Sequence, residues 1–362
     1  MCSSDLLGTT LDAAVDPHDP TFGAPEDLGG GFTIGPDPKH VHLGWPGQDT
    51  SRSVSFVWST DRGTRASLVE WGPVDGDLTL TEGVSYLYGG ATNDAWRVHE
   101  LKLCGALTPS TPYRYRVGGE GHWSPWYTFR SPAPPGSFDT FTLAVAGDSR
   151  GAYEDWARVV DAMASHDPDL YLFSGDMVQT GTNQAEWYAW WEATHDRFAE
   201  AFLVPAHGNH EFLSSNYFAL FSLPDAEQWY TLDYGPLTLA VLNDTVSQLH
   251  HVEQVQADFL RDRLGASTSP WKLALHHQSP YAACTRHGSN LTLRALWAPL
   301  FDELGVQADL AGHNHLYERS VPIVAEAPSD AGTTYLVTGG AGASLYTRSE
   351  ERRVGKECRS RW

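Results

Sequence analysis

The stretch Phe141–Arg150, FTLAVAGDSR, decides the fold. Its apolar run has neither helical nor alternating period, as expected of a strand buried on both faces of a parallel sheet. A glycine then turns the chain and leaves Asp148 at the carboxyl end of the strand. The same design recurs four times downstream. DLYLFSGD ends at Asp176, AFLVPAHGNH at Asn209 and His210, WKLALHHQSP carries His276 and His277, and ADLAGHNH carries His313 and His315. Helical stretches fall between these runs, near 154–165, 184–198, 251–264 and 293–304. Strands alternating with helices predict an α/β domain with a largely parallel core sheet.

Working outward, residues 32–131 have a different texture. HVHLGW, SVSFVWST, PYRYRV and WYTFRS are short alternating runs separated by turn residues, the pattern of an all-β sandwich. A Pro-rich linker at 132–137 divides this sandwich from a domain at 138–347. Residues 1–31 form a Gly-, Pro- and Asp-rich leader. The abruptly basic tail, 348–362, matches nothing before it and reads like a translated sequencing adapter, as do residues 1–6. Both ends are therefore read as truncated and set aside.

Composition narrows the function. The net charge of −21 argues against general binding to a nucleic-acid backbone, whose phosphates it would repel. No apolar run approaches the roughly 18 residues of a membrane span. An anionic substrate would need a local positive centre, which metal ions supply without Lys or Arg. Cys104 and Cys284 define no disulfide framework and read as small buried hydrophobes. The aromatics of EWYAWWEATHDRF, Glu186–Phe198, read as packing, and His250–His251 as a capping turn.

Five strand ends carrying carboxylate, amide or imidazole would converge at one sheet edge, where open α/β sheets bind ligands. Nine of the sixteen histidines lie between His207 and His315, so the convergence is rich in imidazole. Mixed oxygen and nitrogen donors without thiolate suit Fe, Mn or Zn and argue against a structural zinc site. The donors exceed what one ion can use, and a bridging carboxylate between two ions would employ them all.

GDS, GDMVQ, GNHE, LHHQSPY and GHNH, in this order, resemble the motifs of the calcineurin-like metallophosphoesterases. WAPLFDELGV and GHNHLYER are similar to the same family. The likeness is greatest to the purple acid phosphatase-like branch, whose N-terminal fibronectin type III-like domain corresponds to residues 32–131. The resemblance implies a four-layer αββα sandwich preceded by that all-β domain. It implies that Asp148 and His315 bind a first metal, that Asp176 bridges, and that Asn209, His277 and His313 bind a second. Counting within WKLALHHQSPY favours His277 over His276 as the ligand. His210 would contact the phosphate and stabilise the transition state, and His287 would bind phosphate or protonate the leaving group. His207 and Glu211 would support the site from behind.

Two departures from the family pattern stand out. The coloured enzymes carry a tyrosine three residues after the bridging Asp, and here that position is Gln179. The wider superfamily often has Asp-x-His in its first motif, and here the third residue is Arg150, which would either hold the phosphate as a fixed cation or form a surface ion pair. The implied activity is hydrolysis of a phosphorylated small molecule, foremost a phosphomonoester, by hydroxide generated at a pair of Fe, Mn or Zn ions. The alternatives are a phosphodiesterase or nucleotide hydrolase, and a binding module that keeps the fold without turnover. The same resemblance implies secretion or a periplasmic location.

Overall fold

The computed structural model describes residues 33–88, 96–119, 121–225, 227–245, 249–283 and 286–346, with backbone also at 26–27 and 356–357. The expectations for the leader, the tail and Cys284 lie outside the described residues. The chain divides into two compact units: 1–134 with 181–203 and 214–227, and 135–180 with 204–213 and 228–362.

The first unit is built on two antiparallel sheets. One orders Lys39–Gly44, Val54–Thr60, Trp96–Leu103 and Val84–Tyr88; the other orders His122–Trp123, Pro112–Gly119, Leu68–Pro73 and Thr79–Glu82, with Tyr127–Arg130 also on Pro112–Gly119. Phe56 from the first sheet meets Tyr115 and Phe129 from the second, with ring centroids 4.6 and 6.0 Å away. This is the expected sandwich. Its alternation is lost in Val54–Thr60, where every residue is buried. The later segments of the same unit cover the first sheet. The helix Gln184–Glu192 buries Trp187, Tyr188, Trp190 and Trp191, and Trp191 stacks on His42 at 4.1 Å.

Cys104 departs from its expectation. It sits just past the strand Trp96–Leu103, where there is no core to receive it, and it is exposed and disulfide-bonded. Its partner lies outside the described residues.

The second unit is mixed α/β, with two sheets. Leu143–Ala146, Leu170–Phe173 and Leu203–Pro205 form the first. The second orders Tyr230–Tyr234, Leu237–Val241, Trp271–Gln278, Ala308–Gly312, Thr334–Thr338 and Tyr317–Ser320. Its four middle strands are parallel, as the continuous apolar runs predict, and its two flanking pairs are antiparallel. Helix Tyr153–Ala164 lies on the first sheet through Trp156 against Phe173. Helices Gln256–Ala266 and Ala298–Leu304 share a core with the second through Leu260, Leu264, Leu300, Phe301 and Ala274. Helices outside two sheets give the αββα order.

Candidate metal centre

Each strand end delivers its polar residue by a sharp backbone turn. Asp148, Asp176 and His313 all adopt left-handed backbone, with φ of 62°, 58° and 66°. Non-glycine residues there are uncommon, and they gather where a site over-determines the conformation. Glycines make the approach possible. A Cβ on Gly208 would lie 2.2 Å from the Asp176 backbone nitrogen, and one on Gly312 2.4 Å from Asp148 Oδ2.

The donors that the resemblance assigns to a second metal gather around His277. Its Nδ1–H donates to the Ser174 carbonyl at 2.7 Å, which turns Nε2 towards Asn209 Oδ1 at 3.0 Å, Asp176 Oδ1 at 3.3 Å and His313 Nδ1 at 3.2 Å. The donor atoms of Asp176, His277 and His313 all lie within 4.8 Å of one another. An imidazole lone pair facing two oxygens needs a cation between them, either a proton or a metal ion. Burial alone would lower the His277 pKa, but the Asp176 carboxylate and its hydrogen bond raise it well above the ordinary range. Burial also acts against Asp176, yet the charge and hydrogen bond of His277 hold it below the usual carboxylate range. Burial and the neighbouring His277 and His287 take His313 down to about 3, so its ring is a neutral donor. This donor set fits an Fe, Mn or Zn ion.

The donors that the resemblance assigns to a first metal also come together. Asp148 Oδ1 is buried, has no hydrogen-bond partner and lies 3.5 Å from His315 Nε2. His315 is oriented by its Nδ1–H on the Ser344 carbonyl at 2.8 Å. Here, however, a side chain already stands among them. Arg150 Nε is 3.3 Å from Asp176 Oδ2, Nη2 is 3.3 Å from His315 Nε2, and Nη1 donates to Gln179 Oε1 at 2.9 Å.

The other residues singled out by sequence border this cluster. The His210 backbone N–H donates to Asp176 Oδ1 at 2.9 Å, and its ring nitrogen Nδ1 is 2.7 Å from the Gln179 carbonyl, leaving Nε2 3.9 Å from Asp176 Oδ2. His287 is exposed, with its ring 4.2 Å from that of His313 and its Nε2 3.2 Å from the Tyr346 hydroxyl. His207 is not part of the cluster. It accepts the Leu213 N–H at 3.1 Å and pairs with Thr245 at 2.8 Å, and burial takes its pKa down to about 3.

Glu211 has a larger place than a supporting one. Fully buried, it accepts the Asp176 and Gly208 N–H groups on Oε2 at 2.9 and 2.7 Å, and those of Met177 and Val178 on Oε1 at 2.8 and 3.5 Å. It thus ties the turn bearing Asp176 to the turn bearing Asn209. Burial and the Asp176 charge push its pKa up to about 7, against the pull of those backbone donors.

Sequence reading missed three residues. A register shift between Leu275 and Gln278 lets neighbouring histidines serve different surroundings. His277 enters the cluster, while His276 lies between Asp244 Oδ2 at 2.8 Å and Asp309 Oδ1 at 2.7 Å. Burial alone would lower the His276 pKa, but the two aspartates push it up to about 10. Asp244 also accepts the His277 and Gln278 N–H groups at 3.1 and 2.6 Å, fixing the ligand's backbone. The run LTLAVLND, which ends in Asp244 as the other runs end in donors, was its signal. Tyr346 stacks on His315 at 4.2 Å; it lies beyond the last motif, and no pattern marks it.

Residues 141–317 match the calcineurin-like phosphoesterase family, and residues 38–131 match the purple acid phosphatase N-terminal domain. The chain thus carries a calcineurin-like phosphoesterase domain preceded by a purple acid phosphatase N-terminal domain, and it is a phosphoric ester hydrolase. Among its relatives are purple acid phosphatases. It is 28% identical to purple acid phosphatase 21 of Arabidopsis thaliana, over 84% of this chain and 71% of that one. It is 27% identical to human acid phosphatase type 7, over 84% of this chain and 78% of that one. The fold matches purple acid phosphatase PPD1 of yellow lupin, Lupinus luteus, with a TM-score of 0.78 at 19% identity, over 89% of this chain and 68% of that one. It matches PhoD with a TM-score of 0.62 at 14% identity, over 84% and 78%. No helix among the described residues is long and apolar enough to cross a membrane.

Proposed function

We propose that the chain hydrolyses phosphate monoesters at a metal centre built on Asp148, Asp176, Asn209, His277, His313 and His315. The observation that carries this is the convergence of those donors, delivered by separate strands, around the buried Asp176. The resemblance implies a pair of ions, iron, manganese or zinc. Asp176 has the disposition of a bridge, with Oδ1 towards His277 and Oδ2 towards Arg150. An ion bound here supplies Lewis acidity to a water and to a phosphoryl oxygen.

The side chains supply the rest. Arg150, 19% exposed, and His210 stand on the open side of Asp176, where a phosphoryl group carrying developing charge would lie. His287 lies beyond His313, placed to give a proton to the departing alkoxide. Burial and the neighbouring Arg286, His315 and Arg150 hold its pKa below the ordinary value, so it carries that proton best in acid. The Cys104 disulfide supports a secreted or periplasmic location, because such bonds persist in oxidising compartments.

The test is hydrolysis of an aryl phosphate monoester beside the matching diester, with and without chelator. Chelator-sensitive turnover that favours the monoester is expected. Preference for the diester would replace this reading with a phosphodiesterase, and metal uptake without turnover of either ester would leave a binding module.

A further inference from the structure

Arg150 stands where the family pattern calls for an ion. Its guanidinium engages Asp176 Oδ2, His315 Nε2 and Gln179 Oε1 at 3.3, 3.3 and 2.9 Å. The first two are donors that the resemblance assigns to the first metal, and Gln179 occupies the position of the family's metal-binding tyrosine. A guanidinium is a permanent cation, with five N–H donors and no lone pair to offer a metal. It therefore satisfies these acceptors as an ion would, and it excludes an ion by both charge and volume. The Gln179 replacement agrees with this. Its amide oxygen accepts an Arg N–H, where a tyrosine would instead offer a phenolate ligand to an ion.

We infer that Arg150 takes the place of the first metal ion, so that the working centre holds one ion, at Asp176, Asn209, His277 and His313, beside a fixed guanidinium. This rests on the phosphoesterase reading and revises its ion count from two to one. Nη1 and Nη2 each direct one N–H at Gln179 and His315, Nε pairs with Asp176 by charge alone, and the second N–H of each Nη remains for a phosphoryl oxygen. Arg150 then does two things an ion would otherwise do: it neutralises Asp176 on its Oδ2 side and meets the substrate's charge. It cannot activate a water, so that task stays with the single ion. Only Asp148 Oδ1 lies outside its reach as a buried acceptor without a partner. Removing Arg150 would therefore free Asp176 Oδ2, His315 Nε2 and Gln179 Oε1, leaving them together with Asp148 Oδ1.

The experiment measures metal per chain after loading the full chain with Mn(II) and desalting, by elemental analysis and by electron paramagnetic resonance. Aryl phosphate turnover is followed in parallel. Wild type is expected to hold one ion per chain with the spectrum of an isolated Mn(II). Arg150→Ala is expected to hold two, with an exchange-coupled spectrum, and Arg150→His, which supplies a ligand at the same place, is expected to do the same. Two coupled ions in wild type would overturn the inference, as would a single ion in wild type and in both folded variants. If both variants fail to fold, the wild-type count and spectrum decide alone. One ion without turnover would sink the proposed activity and leave the Arg150 assignment standing, whereas two ions with turnover would do the reverse.

Discussion

Glu211→Gln is the substitution that most directly tests how the centre is held. Each Glu211 oxygen faces two backbone N–H groups: Asp176 and Gly208 on one side, Met177 and Val178 on the other. Glutamine keeps the size but only one acceptor oxygen. Whichever way the amide turns, its NH2 group meets two buried N–H donors. A buried donor left without its acceptor costs about 1–3 kcal/mol, so the pair costs about 2–6 kcal/mol. The Val178 contact, at 3.5 Å, is the weakest of the four, so the amide is expected to turn its nitrogen towards the Met177 side, near the lower end of that range. The strain falls on the turns that carry Asp176 and Asn209. Support of this kind is worth about 10–100-fold in metal affinity. Calorimetric titration with Mn(II) should show a loss in that range, and thermal unfolding of the metal-free chain should show a lower midpoint. An affinity within about twofold of wild type with an unchanged midpoint would refute the tie between the two turns.

Two further outcomes are expected. His276→Ala should leave Asp244 and Asp309 buried without their shared cation and lower stability by about 3–5 kcal/mol, whereas His277→Ala should chiefly empty the metal position. Denaturant unfolding beside elemental analysis separates the two, and equal metal loss in both would refute the division of labour. Glu227, which is 6% exposed, is pushed up to about 8 by burial. The folded state then holds a proton that the unfolded chain releases above its ordinary carboxylate range, so stability falls as pH rises from about 4.5 to about 8. Glu227→Gln should match wild type near pH 4 and exceed it near pH 8, with about 4 kcal/mol as the upper bound. Parallel pH–stability curves for the two proteins would rule this out.

The sequence made the strand ends legible because a strand buried on both faces leaves polar residues only where it stops. That logic picked out Asp148, Asp176, Asn209, His313 and His315. Strand ends alone did not rank His276 against His277; counting within WKLALHHQSPY favoured His277, which is the one that enters the cluster. Asp309 was hidden because it sits inside an apolar strand, where its partner His276 comes from the neighbouring strand. Helix Gln184–Glu192, distant in sequence, covers the strands on either side of Val54–Thr60, with Trp191 on His42 and Tyr188 on Trp96, so local alternation could not reveal how buried that sheet is. Arg150 was read as a phosphate contact, but the direction of a long flexible side chain is set by its partners, which only the assembled turns bring within reach.

The left-handed backbone at Asp148, Asp176 and His313 sets the chemistry against the fold. An L-residue held there costs about 1–2 kcal/mol, and glycine is released from that cost. Glycine would relieve the backbone at all three turns but remove their donors, and at Asp148 and Asp176 it would also strip the acceptors of the His313 and His210 N–H groups. A metal-free His313→Gly chain that unfolds at a higher temperature than its parent would measure how much stability that turn gives up to carry a donor.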